Sequence, residues 1–205
     1  MVKAGIKNLL IDFGGVLIDL DRQRCVANFQ QLGLQGVESL LGIYHQEDFL
    51  QHYEKGQLTT AQFRDQVRAC AGHPVADAEI DRAWNSFLVG IPAEKLELLL
   101  QLRQRYRLFL LSNTNELHWQ WSLEHAFPYQ GQNVEDYFER IYLSFRLNLV
   151  KPDPAIFRTV LEDAELRPEE TLFIDDSVEN CRVAETFGIA VYTPEPHEDW
   201  SHLFR

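Results

Sequence analysis

Several short runs in this chain are apolar at nearly every position rather than at alternate ones: Asn8-Leu9-Leu10-Ile11, Arg107 to Ser112, Ile141 to Ser144, Thr171 to Asp175 and Ile189 to Tyr192. A strand with no wet face must be covered on both sides, which is the condition of strands in a parallel sheet. Amphipathic helical patterns lie between the later runs. The segment after Pro92 carries Leu96, Leu99, Leu100 and Leu102, and the one opened by Asp153 as N-cap and Pro154 in its first turn carries Ile156, Val160 and Leu161. The alternation predicts an α/β chain with a Rossmann-like, three-layer parallel-sheet core.

From about Ile18 to Gly90 the rhythm changes to helical periodicity without a convincing strand. Val26, Phe29 and Leu32 form one stripe, and Phe63, Val67 and Cys70 form another behind a Thr59-x-x-Gln62 capping box. Gly33, Gly36, Gly56 and Gly72 punctuate this stretch into about four helices. The expected organisation is an α/β core over 1–17 and 91–205, with a small helical cap over 18–90 that packs on the sheet as a lid. At 205 residues the chain can bury one core plus such an insertion.

Charge narrows the partners. Nineteen Lys and Arg against 31 Asp and Glu give a net charge of −12, which repels nucleic acid and anionic membranes while leaving room for one small anion in a locally positive pocket. No apolar run reaches membrane-spanning length, and Asp12 and Asp19 interrupt the only N-terminal apolar stretch, so no signal peptide is read and a cytoplasmic protein is expected. Cys25, Cys70 and Cys181 lack close spacing and read as buried, reduced thiols. No sequence feature specifies an oligomeric state.

Four polar clusters fall where predicted core elements end: Asp12, Ser112-Asn113-Thr114-Asn115, Lys151-Pro152-Asp153-Pro154 and Asp175-Asp176. Carboxyl ends of parallel strands share one edge, so these distant segments can converge there. Asp12 precedes Phe13-Gly14-Gly15, whose glycines let backbone approach an anion or metal without side-chain interference. Asp12 with Asp175 and Asp176 supplies hard oxygens suited to Mg²⁺. The Ser112 hydroxyl, neighbouring backbone amides and the compact Lys151 cation describe a phosphate clamp. Phosphorus held in line would let Asp12 attack as a nucleophile and form an aspartyl-phosphate.

These segments together resemble the haloacid dehalogenase superfamily, in its branch of metal-dependent phosphatases with a small helical cap. The resemblance rests on Asp12-Phe13-Gly14-Gly15-Val16-Leu17, Leu111-Ser112-Asn113-Thr114-Asn115, Lys151-Pro152-Asp153-Pro154 and Ile174-Asp175-Asp176-Ser177-Val178-Glu179-Asn180. Within that branch the chain looks most like the glucose-1-phosphate phosphatase group and the phosphatase-like domain of epoxide hydrolase, and it also resembles β-phosphoglucomutase-related hydrolases. The resemblance implies that Asp12 is the nucleophile and that Ser112 and Lys151 bind phosphate, with Gly14, Gly15 and Asn113 around it. It implies Mg²⁺ held by Asp12, the Gly14 carbonyl and Asp176, with Asp175 orienting Lys151 or a metal-bound water and Asn180 behind them.

The expected substrate is a small phosphorylated metabolite such as a sugar phosphate. Many of these phosphatases carry a second aspartate two residues after the nucleophile; here that position is Gly14. The alternatives are a 2-haloacid dehalogenase, a phosphomutase, or a silent phosphate-binding regulatory domain. Of the remaining polar residues, His118 could face a pocket rim or a helix surface, Arg24, His52 and Glu54 could read substrate or lie on solvated faces, and His197 and His202 read as surface histidines.

Overall fold

The central sheet has five parallel strands in the order β5-β4-β1-β6-β7. They are β1 (Asn8–Ile11), β4 (Arg107–Ser112), β5 (Arg140–Leu143), β6 (Thr171–Ile174) and β7 (Ala190–Tyr192), seen in a computed structural model that describes residues 3–34 and 49–205. Alternate residues of the inner strands enter two different cores. Leu9, Ile11, Leu108, Leu110, Leu172 and Ile174 join one cluster, while Leu10, Phe109, Leu111 and Phe173 join the other. This explains the absence of alternation in the sequence: every position of β1 and β6, and of β4 after Arg107, is buried on one face or the other. Full burial of one such side chain is worth about 1.5–3 kcal/mol, so a polar residue inside these runs would be costly.

The helices in chain order are α1 (Arg22–Gln31), α2 (Phe49–Glu54), α3 (Thr60–Ala71), α4 (Asp77–Asn85), α5 (Ala93–Leu102), α6 (Glu116–His125), α7 (Val134–Tyr137), α8 (Ser144–Leu147), α9 (Pro154–Asp163) and α10 (Val178–Thr186). The Asp153 cap and Pro154 start of α9 form as expected, with Asp153 accepting from the Ala155 N–H. So does the Thr59–Gln62 capping box of α3. A 3₁₀ turn, Trp200–Phe204, closes the described chain. No helix among the described residues is long and apolar enough to cross a membrane.

Helices α1 to α4 bury a separate cluster that includes Cys25, Phe29, Tyr53, Phe63, Val67, Ile80 and Trp84. Gly36 lies outside the described residues. Three details differ from the sequence reading. Two short strands, β2 (Asp19–Leu20) and β3 (Leu88–Gly90), pair antiparallel at the two ends of this helical stretch, and strands of this length carry no readable alternation. Cys70 is exposed rather than buried, the stripe ending at Val67. Ser144 opens α8 instead of extending β5.

Candidate active site

Register brings the site together. Ile11 lies beside Ile174 and Leu110, so the next residue on each strand places Asp12 level with Asp175 and Leu111 at the carboxyl edge, and the Asp12 N–H donates to the Ile174 carbonyl at 2.9 Å. Lys151, on the loop leading to α9, reaches this edge with a side chain 1% exposed. Its Nζ donates to Asp12 Oδ1 at 2.6 Å, to Asp175 Oδ2 at 2.6 Å and to the Leu111 carbonyl at 3.0 Å. All the ammonium protons are thereby used.

Asp175 is fully buried and held from behind. Oδ1 accepts from the Ser177 N–H at 2.8 Å, and Asn180 Nδ2 lies 3.0 and 3.1 Å from the two carboxylate oxygens. Asp176 is exposed, and an oxygen from each of Asp12, Asp175 and Asp176 can be chosen so that all lie within 4.8 Å of one another. The crowding shows in their protonation. Desolvation raises the Asp12 carboxyl to about 7 against the pull of Lys151, and Asp175 and Asp176 push it in the same direction as burial. Partial desolvation and Asp175 raise Asp176 as well. Burial works against the Lys151 charge, but Asp12 and Asp175 outweigh it and hold the ammonium protonated. Three hard carboxylates crowded by like charge fit a small divalent cation.

Ser112 ends β4 and is almost fully buried; its Oγ makes only a 3.3 Å contact with the Asn113 carbonyl, so the hydroxyl can turn toward a ligand. Asn113 was expected to touch phosphate. Its side-chain amide holds the backbone of Lys151, accepting from the N–H at 2.8 Å and donating to the carbonyl at 2.9 Å, so it fixes the loop that carries the lysine. Gly15 braces its own turn. Its N–H donates to the Ile18 carbonyl at 3.0 Å, its φ is +74°, and a Cβ there would collide with Asp176 Oδ2. Gly15→Ala should therefore displace Asp176 and cost about 1–3 kcal/mol, seen as a lower denaturation midpoint together with weaker metal binding.

The sequence matches the haloacid dehalogenase-like hydrolase family over residues 6–188. The chain belongs to that family. This hydrolase is 37% identical to D-ribitol-5-phosphate phosphatase of Bacteroides thetaiotaomicron over 195 residues, 95% of either chain. It superposes with a TM-score of 0.96 on a crystal structure of a haloacid dehalogenase-family enzyme from that organism, at 54% identity over 98% of this chain and 100% of the other. That crystal structure is of an aspartate-to-alanine variant in complex with magnesium and inorganic phosphate. A haloacid dehalogenase-like hydrolase from Porphyromonas gingivalis matches at 33% identity and a TM-score of 0.91, over 98% of this chain and 99% of that one.

In this hydrolase, helices α2 to α4 rest on the loop that follows Ser112. Asn115 caps α6, its Oδ1 accepting from the His118 N–H and from Trp84 Nε1, each at 3.1 Å. Its Nδ2 can only donate, so His118 Nδ1 accepts at 3.2 Å and Nε2 donates to the Trp84 carbonyl at 3.1 Å. His118 is thus a neutral, buried imidazole stacked on Trp84 at 4.4 Å, its pKa lowered to about 4 by burial, and not a pocket-rim group. Tyr53 Oη accepts from the Leu117 N–H at 3.2 Å, Thr60 bonds Glu116, and Ser144 Oγ lies 2.7 Å from the Glu54 carbonyl. Gly56 packs where a Cβ would strike the Phe145 carbonyl. Arg24 donates to the Ser86 and Leu88 carbonyls, while His52, His197 and His202 are exposed.

Trp84 and Ser144 escaped the sequence reading, as did the capping role of Asn115. Asn115 carried one usable signal, an Asn immediately before a helical segment. Trp84 and Ser144 carried none, because their partners lie far away in the chain.

Proposed function

We propose that this hydrolase is a Mg²⁺-dependent phosphomonoesterase for a small phosphorylated polyol or sugar, acting through an aspartyl-phosphate on Asp12. The carrying observation is the buried Lys151 ammonium bridging Asp12 and Asp175 beside Asp176. The substrate class is supported by the relative named D-ribitol-5-phosphate phosphatase, and the metal by the magnesium and phosphate held in the similar crystal structure.

Asp12, the Gly14 carbonyl and Asp176 would hold Mg²⁺, since Asp175 already spends both oxygens on Lys151, Ser177 and Asn180. The bound ion would neutralise the carboxylates and the phosphoryl oxygens. Lys151 would trade one present contact for a phosphoryl oxygen, with Ser112 turning its hydroxyl to another. Asp12 then forms its bond to phosphorus as the bond to the leaving oxygen breaks, and water later cleaves the aspartyl-phosphate. Asp175, braced by Asn180 and Ser177, keeps Lys151 aimed. Helices α2 to α4, which contact α6 and α8, are read as part of a cap over 18–90 that excludes water and bounds substrate size.

Asp176 favours this reading over dehalogenation, because Lys151 already bridges Asp12 and Asp175 and a third carboxylate beside them calls for a further cation. Gly14 disfavours a mutase, which must shuttle protons between two hydroxyls. The test is phosphate release from a panel of pentitol, pentose and hexose phosphates with Mg²⁺ and with EDTA. Metal-dependent release is expected; halide release from 2-haloacids without metal would reverse the assignment. Apparent Mg²⁺ affinity should rise with pH up to and past about 7, since a proton on Asp12 competes with the ion.

Gly14 adds a further expectation. Its φ lies outside the left-handed region, and a Cβ would meet only the tip of the flexible Leu20 side chain, Cδ1, at 3.3 Å, so a side chain fits with a small shift. Wild-type turnover should favour aryl over alkyl phosphates, because no carboxyl at this position protonates the departing oxygen. Gly14→Asp should flatten that trend, raising alkyl-phosphate turnover by up to about a hundredfold. A folded Gly14→Asp variant with an unchanged trend would locate the proton donor elsewhere.

A further inference from the structure

The turn after Asp12 is braced internally. The Phe13 carbonyl accepts from the Leu17 and Ile18 N–H groups, both at 2.9 Å, and Gly15 N–H bonds the Ile18 carbonyl. On its apolar side Phe13 stacks on Phe127 at 5.3 Å. The buried Val16 carbonyl is answered from outside the turn: Lys95 Nζ of α5 donates to it at 2.7 Å and Trp200 Nε1 of the C-terminal 3₁₀ turn at 3.3 Å.

Lys95 is an unusual choice for this task. Its side chain is only 13% exposed, and its closest carboxylate, Asp19, stands 4.0 Å away. Burial lowers its pKa, with Asp19 and then Asp199 opposing. A half-desolvated ammonium aimed at a carbonyl costs stability unless that carbonyl must be held. Val16 is next to Gly15, which packs against Asp176. Asp19 lies in β2, where the chain leaves for α1, and Lys95 stands just beyond β3, where it returns.

We infer that Lys95 and Trp200 are positioning residues: through the Val16 carbonyl they hold the Phe13–Ile18 turn so that Gly14 presents its backbone to the metal and Gly15 leaves room for Asp176. The inference rests on the proposed function for its link to turnover, but the held turn can be tested without the reaction. Lys95→Met keeps the length of the side chain and Trp200→Phe keeps an aromatic ring, while each removes the donor.

Amide hydrogen exchange on the metal-free variants should accelerate in residues 13–18 while β4 and β6 keep wild-type protection. Mg²⁺ dissociation constants measured by calorimetry should rise, by about ten- to a hundredfold for Lys95→Met and about threefold or more for Trp200→Phe. Lys95→Arg should recover part of both, because the charge and a donor return. Should Lys95→Met fail to fold, Trp200→Phe and Lys95→Arg decide the matter. Unchanged exchange at 13–18 in folded variants, or a rise spread evenly over the sheet with Mg²⁺ affinity within twofold of wild type, overturns the inference. If the wild type binds Mg²⁺ yet releases no phosphate, the phosphatase reading fails while the exchange result still judges the turn. If it does not bind Mg²⁺, the exchange result alone decides.

Discussion

Asp12→Asn will give a folded protein that no longer turns over substrate. The amide oxygen can accept from Lys151 where Asp12 Oδ1 does now, so the 2.6 Å contact has a neutral substitute. The substitution also removes one negative charge from a cluster in which burial raises Asp12 to about 7. An acid with a folded pKa above its unfolded value favours the fold at low pH and opposes it as pH rises through the folded value. The variant should therefore equal or exceed wild-type stability at about pH 8 and lose that advantage toward about pH 5. Turnover has no such substitute, because an amide cannot form the acyl-phosphate; the loss should be at least about ten-thousandfold. Phosphate release checks this, with mass spectrometry to exclude deamidation back to aspartate. Activity within tenfold of wild type would remove Asp12 as nucleophile.

Lys151→Met should be the most damaging single change to stability. It leaves Asp12 and Asp175 buried together without their cation, and breaking such a pair from one side costs about 3–5 kcal/mol. The pH sign separates this from a packing defect. Protonation relieves Asp12, so the loss should be smaller near about pH 5 and larger near about pH 8. Saturating Mg²⁺ should restore part of the stability at the higher pH by supplying positive charge, without restoring activity. Urea midpoints at both pH values, in EDTA and then in Mg²⁺, make the comparison; an equal loss at both would show that charge is not the cause.

The sheet and its reactive edge were legible because burial on both faces writes itself as unbroken apolar sequence. Leu9, Leu10 and Ile11 enter two cores in turn, and the first polar residue after them is Asp12. The clustering of Asp12, Lys151, Asp175 and Asp176 followed from the shared edge of parallel strands. What the sequence hid was the division of labour among neighbouring polar groups. Asn113 and Gly15 stand beside the expected phosphate site, yet the Asn113 side chain braces Lys151 and the Gly15 N–H bonds Ile18. His118 belongs with Trp84 and Asn115, a grouping set by tertiary packing. Lys95 looked like one more charge on a helix, because nothing local to either residue says that its ammonium ends at the Val16 carbonyl.

The position of β1 in the sheet bears on how the chain is made. Asn8 pairs with Arg107 on one side and, 163 positions later, with Thr171 on the other. As the chain leaves the ribosome, its central strand can pair with β4 long before β6 arrives on its other side. Asp175 follows β6, and Trp200 reaches Val16 later still. Contacts this distant in sequence make assembly slow. A nascent chain halted before β6 would leave one edge of β1 unpaired and carry a reactive aspartate without Asp175 beside it. Birth of the catalytic edge is therefore a late event, and chaperone demand should peak just before it.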